Sequence, residues 1–102
     1  MTTRQRLPNR RAHQLLDFEH RGIRYTAGVG RFEDGGLAEI FLNTAKHGTA
    51  IDVNARDAAV AASLLLQHGC SVDTLRQALT RNSDCSASGP LVHALDLLSE
   101  GI

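Results

Sequence analysis

Apolar and polar positions alternate in three short stretches in the first half of the chain. In residues 12–20, apolar Leu16 and Phe18 alternate with acidic residues. In residues 23–30 every second side chain is apolar, and the third stretch, residues 37–43, carries one acid among apolar residues. A period of two is typical of a strand with one buried face. We therefore predict three β-strands.

The links between these stretches are short and contain glycine. Arg21-Gly22 joins the first stretch to the second, and the sequence Glu33-Asp34-Gly35-Gly36 joins the second to the third. Glycine adopts the positive φ angles that tight hairpin turns require. The three strands are therefore predicted to form an antiparallel meander.

The period changes to a helical one after Gly48. We expect Asn54 to cap a helix that has Asp57 in its first turn and that ends at Gly69. Its predicted core face is alanine-rich and consists of Ala58, Ala61, Ala62, Leu65 and Leu66. Because alanine allows close approach, we expect this face to pack against a second helix.

Two shorter helices are predicted after Gly69. Ser71 can cap a second helix that runs to Leu79, and residues 82–88 form a small polar loop. Gly89-Pro90 then starts a third helix, since proline is favoured in the first helical turn. Its core face consists of Leu91, Ala94, Leu95 and Leu98.

Strands followed by helices indicate an α+β fold, a three-stranded antiparallel β-meander followed by two to three packed α-helices. At 102 residues the chain has the size of one domain. We assign residues 1–11 to a basic flexible tail and residues 12–102 to the α+β domain. A small sheet leaves two edges and a face to cover, which favours a homodimer.

Charge is unevenly distributed, although the formal net charge is zero. Removing the four arginines of residues 1–11 from the eleven basic residues leaves seven against eleven acidic ones, a formal charge of −4. A balanced net charge argues against a dedicated nucleic-acid-binding protein. The basic tail nevertheless leaves nucleic-acid binding as an alternative function. It would use Arg4, Arg6, Arg10 and Arg11.

No metal, cofactor or membrane span is predicted. The five histidines lack ligand spacing, and Cys70 and Cys85 form neither a zinc pattern nor a disulfide framework. Cys70 is expected to be a small buried group and Cys85 an exposed thiol. No apolar run approaches the roughly 20 residues that cross a bilayer. We therefore expect a cytoplasmic protein with reduced thiols.

One group of residues is a candidate ligand-binding site. Lys46, His47 and Gly48 follow the third strand and lie close in sequence to Glu39 and Asp52. A cation, an imidazole and a carboxylate can bind phosphate or exchange protons, although an ordinary exposed turn has the same composition. We expect Glu39 to lie on the solvent-exposed face of its strand. A buried ion pair with Arg24 or Arg56 is the alternative.

Several of these segments resemble the TSCPD domain, a small domain found in class II, adenosylcobalamin-dependent ribonucleotide reductases and in free-standing short proteins. The resemblance rests on four segments: Arg24-Tyr25-Thr26, Glu39-Ile40-Phe41, Lys46-His47-Gly48 and Leu66-Gln67-His68-Gly69. It covers about residues 12–100. The motif that names the domain falls near residues 87–91, where Gly89 replaces the cysteine and Leu91 the acid.

The resemblance implies a link to deoxyribonucleotide synthesis but not catalysis by this chain alone. Ribonucleotide reduction in that family needs a radical-generating cofactor and several cysteines in a large barrel, whereas this chain has two cysteines. We therefore predict a non-catalytic accessory or interaction module, with a ribonucleotide reductase subunit as a partner. A small enzyme acting on a nucleotide or phosphoester is a second alternative. No nucleophile elbow or phosphate-binding loop supports it.

Overall fold

The computed structural model describes residues 13–46 and 48–100, and it confirms the α+β fold. Three strands precede three helices, in the predicted order. The elements are β1 (His13–His20), β2 (Ile23–Arg31), β3 (Leu37–Thr44), α1 (Ala50–Gln67), α2 (Val72–Ala78) and α3 (Pro90–Ser99). The basic tail lies outside the described residues.

The sheet is an antiparallel meander with the order β1-β2-β3. Arg21 and Gly22 both have positive φ, 51° and 78°, which is the geometry of a type I′ hairpin turn. Phe18 and Tyr25 pair across β1 and β2, and both side chains are buried on the inner face. The alternation in the sequence therefore assigned the faces of β1 and β2 correctly.

Helix α1 begins earlier than the sequence pattern indicated. Its N-cap is Thr49, whose side-chain oxygen accepts a hydrogen bond from the backbone N–H of Asp52. The assignment of Asn54 as the cap was wrong, because a threonine followed three residues later by an aspartate satisfies the first turn equally well. The predicted stop at Gly69 is confirmed, and this glycine has a φ of 97°.

The buried face of α1 also differs from the predicted one. Ala61 and Leu65 are exposed and Ala58 is half-buried, so those three positions were assigned wrongly to the core face. Ala62 and Leu66 are buried as expected. The buried apolar residues of α1 are Ala55, Ala59, Ala62 and Leu66. Because this face is rich in alanine and polar residues, the hydrophobic pattern alone does not show which side of the helix is buried.

Helix α1 packs mainly along the open edge of β3, and its contact with a second helix, α3, is smaller than predicted. Ser63 Oγ accepts a hydrogen bond from the N–H of Ile40 at 2.9 Å and donates to its carbonyl at 3.0 Å. Gln67 Nε2 donates to the carbonyl of Ala38 at 3.1 Å. Alanine on this face brings the helix close enough for short polar side chains to satisfy a strand edge, which would otherwise carry unpaired backbone groups.

Helices α2 and α3 begin where the sequence predicted, and α2 ends at Ala78, one residue before the predicted Leu79. Ser71 caps α2 by accepting from Thr74 N–H, and Pro90 occupies the first turn of α3. The four predicted core residues of α3 are buried. They pack with the inner side chains of the sheet, including Val29 and Leu42, in one hydrophobic cluster. In the part of the chain that is described, no helix is long and apolar enough to cross a membrane.

Candidate functional site

Glu39 lies on the same face of β3 as the exposed Phe41, as expected, but its side chain is buried there and not exposed to solvent. Its residue is 5% exposed, and its side chain lies over Gly30, which faces it across the β2–β3 ladder. A Cβ atom placed on Gly30 would come within 2.6 Å of Glu39 Oε1. Glycine at position 30 therefore makes the space that the Glu39 side chain occupies. In the sequence, the only sign of this close packing is a glycine inside a predicted strand.

The loop after β3 is held by the buried carboxylate of Asp52. Oδ1 of Asp52 accepts from the N–H of Thr44 at 2.9 Å, and Oδ2 accepts from the N–H of Gly48 at 3.4 Å and from Arg56 Nε at 2.9 Å. The hydrogen bond from Thr44, followed by those from Arg56 and Gly48, lowers the pKa of the Asp52 carboxyl. Asp52 thus fixes the backbone of the candidate loop.

The predicted ligand-binding residues are divided between the two ends of β3. Lys46 and Gly48 lie in the loop beyond its last residue and are exposed. Glu39 lies near its start, and the five residue-to-residue steps from Glu39 to Thr44 correspond to a rise of about 17 Å. His47 lies outside the described residues. Arg56, the alternative partner of Glu39, forms an ion pair with Asp52.

The outer face of the sheet carries large exposed apolar side chains that the sequence analysis did not select. Leu15, Gly28 and Phe41 face one another across β1, β2 and β3. Leu15 is 77% exposed and Phe41 47%, and the open position of Gly28 lies in van der Waals reach of both. The sequence does contain a sign of this surface. In β1, Leu15 falls on the same face as Asp17 and Glu19, so it is an apolar residue where the alternation predicts a polar one.

One flank of α1 carries further exposed apolar side chains on the same side of the molecule. Val60 and Leu64 lie about 100° and 140° around the helix from Ala59, which faces β3. Both side chains are exposed. The other flank, with Ile51 and Ala58, lines a cavity that Tyr25 of the inner face also lines. Val60 and Leu64 therefore lie toward the outer face, and we call Leu15, Phe41, Val60 and Leu64 the outer apolar surface.

A pair of histidines joins the end of β1 to α3. Nδ1 of His20 and Nδ1 of His93 are 2.9 Å apart, and His20 Nε2 lies 3.3 Å from the carbonyl of Ser88. Burial, and then the neighbouring His20, lower the pKa of His93. The ring of His93 also packs on Phe18, with centroids 4.9 Å apart. Sequence reasoning missed this pair because its members lie 73 residues apart.

Both cysteines are free thiols. Cys85 is exposed, as predicted, whereas Cys70 is only partly buried and packs at the margin of the core. Among residues 13–46 and 48–100, no three His, Cys, Asp or Glu side chains are grouped so as to hold a metal ion. The four arginines of the alternative nucleic-acid site lie outside the described residues.

Comparison with known proteins relates the chain to part of a large enzyme. It is 32% identical over 80 residues, 78% of this chain, to the vitamin B12-dependent ribonucleotide reductase of Bradyrhizobium diazoefficiens. It is 34% identical over 77 residues, 76% of this chain, to the vitamin B12-dependent ribonucleotide reductase of Agrobacterium fabrum. In each case the chain spans only 6% of the length of the relative.

No protein-family model matches the chain, and no solved structure matches it. The relation to B12-dependent ribonucleotide reductases is therefore shown at the level of sequence, and the TSCPD domain stays a resemblance.

Proposed function

We propose that this chain is a non-catalytic accessory or interaction module of a nucleotide-reducing system, and that it binds a vitamin B12-dependent ribonucleotide reductase. The observation that carries the proposal is the similarity of more than three quarters of the chain to a short stretch of two such reductases. A cytoplasmic location is part of this proposal. So is the assignment of the chain to the TSCPD domain.

A non-catalytic role follows from the small share of the reductase that the similarity covers. The matched stretch is 6% of each enzyme. Function belongs to the site and not to the fold, so similarity to so small a part does not transfer the reaction of the whole. Binding to the larger enzyme is the simplest activity that such a stretch retains by itself.

The outer apolar surface is the proposed contact with the reductase. A stretch inside a far longer chain packs part of its surface against the remainder, and the corresponding surface of a separate module is left open. Leu15, Phe41, Val60 and Leu64 are 77%, 47%, 52% and 44% exposed. Apolar side chains grouped on one surface mark protein contacts more often than scattered ones do.

Polar residues at the ends of β3 would border this contact. Glu39 lies on the same face of β3 as Phe41, and Lys46 and Gly48 are exposed just beyond the end of the strand. We propose that Lys46, His47 and Gly48 supply its polar rim or bind a small anionic ligand there, whereas Glu39, buried at the other end of the strand, contributes only through the packing of the sheet. Rim charges act mainly on the rate and specificity of association.

The test measures binding of the full chain to the purified reductase of Agrobacterium fabrum by biolayer interferometry. We expect Phe41→Asp to weaken binding at least tenfold, since a charge would be buried in an apolar contact. The matched control is Leu65→Asp. Leu65 has a similar exposure, 48%, but lies on the opposite flank of α1, so binding should not change.

Two results would contradict the proposal: no binding of the unaltered chain, or equal binding by Phe41→Asp and the unaltered chain.

Light scattering of the free chain belongs in the same experiment. In the described sheet β1 pairs only with β2, so we propose a homodimer of the free chain through the other edge of β1. A dimer that Phe41→Asp dissociates would instead assign the outer apolar surface to a second copy.

A further inference from the structure

A cavity of about 390 Å³ opens on the side of the molecule opposite the outer apolar surface. It lies between the first half of α1, the inner face of β2 and the start of α3. Its apolar walls are Ile51, Ala55, Ala58, Leu79, Pro90 and Leu91. This volume lies within the range of pockets that enclose small organic molecules.

The first turn of α3 lines this cavity and carries backbone N–H groups that are not used within the helix. Gly89 is the N-cap, and it offers no side chain to accept hydrogen bonds from the first turn. In the described part of the chain, the N–H groups of Leu91 and Val92 have no hydrogen-bond partner, and both residues line the cavity. Open N–H groups and the positive end of the helix dipole favour an anion at this position.

Tyr25 is an independent indication of a ligand. The residue is 5% exposed and lines the same cavity, and its ring stacks on Phe18. Its hydroxyl has no hydrogen-bond partner among residues 13–46 and 48–100. The hydroxyl oxygen itself is not fully buried, so it is open to the cavity, where a ligand can accept its hydrogen bond. Burial raises the pKa of the Tyr25 phenol, so the group stays protonated and can donate a hydrogen bond.

The charge of the lining restricts the class of ligand. No acidic or basic residue of the described chain lines the cavity, and its remaining polar side chains are Asn54 and Thr80. Nothing there repels a single negative charge, and the backbone supplies two donors for it. The absence of a lysine or arginine argues against a polyphosphate, which binds best where cations neutralise it.

We propose that this cavity binds a small molecule with an apolar, ring-containing body and one anionic group. The anionic group accepts hydrogen bonds from the N–H groups of Leu91 and Val92 and from the hydroxyl of Tyr25. The body packs against Ile51, Ala58 and Leu79. This site is separate from the outer apolar surface and does not depend on the proposed function.

The experiment uses two fluorescent probes that differ in charge: 1-anilinonaphthalene-8-sulfonate, and N-phenyl-1-naphthylamine, which has the same rings without the sulfonate. We expect the folded chain to bind one equivalent of the sulfonate probe. The sulfonate should shift the amide resonances of Leu91 and Val92 in an NMR titration. The neutral probe should bind more weakly and shift those two amides less.

Two variants separate the polar contacts from the apolar ones. Tyr25→Phe removes only the hydroxyl. It should lower the affinity for the sulfonate probe about tenfold and leave the affinity for the neutral probe unchanged. Its fold should be intact because the hydroxyl bonds no described residue. Asn54→Trp places a large ring at an exposed position on the cavity wall, and it should weaken both probes.

Equal affinity of the sulfonate probe for the unaltered chain, Tyr25→Phe and Asn54→Trp would overturn the proposal. So would amide shifts that miss Leu91 and Val92. Loss of probe binding in Leu15→Asp would place the probe on the outer apolar surface and would also overturn it. None of these three results bears on reductase binding, which is measured separately.

Discussion

At the scale of single residues, buried carboxylates in this chain serve the backbone and the packing of the fold. Asp52 accepts hydrogen bonds from Thr44 and Gly48 and so fixes the loop that carries Lys46. Glu39 fills the space over Gly30. Both residues had been grouped in the sequence as members of one candidate site. Their roles differ because Asp52 lies beside the backbone N–H groups of the loop after β3, whereas Glu39 lies beside the open position of Gly30 in the sheet.

Protonation of His93 is expected to destabilise the fold at mildly acidic pH. Its pKa lies below the ordinary value of 6.5 in the folded chain, so the unfolded chain binds more protons below that value. The free energy of unfolding should therefore be highest above pH 6.5 and should fall as the pH drops through the window just below it. Urea unfolding at pH 8, 7, 6 and 5 measures this change.

The comparison for this prediction is His93→Gln, which cannot titrate. Its free energy of unfolding should change less between pH 8 and pH 5 than that of the unaltered chain. The depressed carboxyl pKa values of Asp52, Asp84 and Asp96 act below the ordinary value of 3.8, outside this window. An equal fall in both proteins would show that His93 is not the group responsible.

At the scale of elements, the contact of α1 with the edge of β3 organises the fold. Ala55, Ala59 and Ala62 bring the helix near the strand, and Ser63 and Gln67 then bond backbone groups of β3. An edge covered in this way is closed to pairing with another strand. The helix therefore performs the role that the sequence analysis had assigned to a second subunit, at this edge at least.

Enlarging Ala59 should separate the helix from the strand. Ala59 is 1% exposed, and Ala59→Leu should lower the free energy of unfolding by about 1 to 3 kcal/mol because the added carbons have no space. Chemical denaturation measures the change. Ala61→Leu is the matched control, since Ala61 is exposed on the same helix, and it should change stability by less than about 0.5 kcal/mol. Equal effects would contradict the edge packing.

At the scale of the whole molecule, an ion-pair cluster ties the C-terminal helices together. Asp96 of α3 bonds Arg76 Nε of α2 at 2.8 Å and both terminal nitrogens of Arg81, at 2.8 and 2.9 Å. The hydrogen bonds from Arg81, with those from Arg76, lower the pKa of Asp96 to about 2. Arg81 also donates to the carbonyls of Arg76 and Cys85, so the cluster orders the loop between α2 and α3.

Asp96→Asn should destabilise the chain at neutral pH. The depressed pKa corresponds to about 1 to 2 kcal/mol once solvent screening is allowed for. This stability is present above the ordinary value of 3.8 and is lost as the pH falls toward about 2. Thermal unfolding measures the loss of stability in Asp96→Asn at pH 7 and tests whether that loss becomes smaller at pH 2.5. The control is Asp73→Asn, whose carboxylate is 81% exposed and 3.7 Å from Arg76. An equal loss in the control would contradict the role of Asp96.

Much of the fold could be predicted from local signals. Arg21-Gly22, Ser71 and Pro90 act within a few residues of themselves, and the turn and helix starts they indicated are confirmed. Strand faces also follow from a period of two. The cap at Thr49 and the phase of α1 were assigned wrongly, because several polar residues fit the cap and the alanine-rich face carries a weak hydrophobic signal.

The sequence by itself determined the elements, their order and the antiparallel meander, since hydrophobic period, turn glycines and caps are interactions between near neighbours. Only the tertiary structure decided where these elements meet. It placed α1 on the edge of β3, His93 beside His20, and Tyr25 beside the first turn of α3. These contacts join residues far apart in the chain, and no local pattern records which distant surface a side chain will meet.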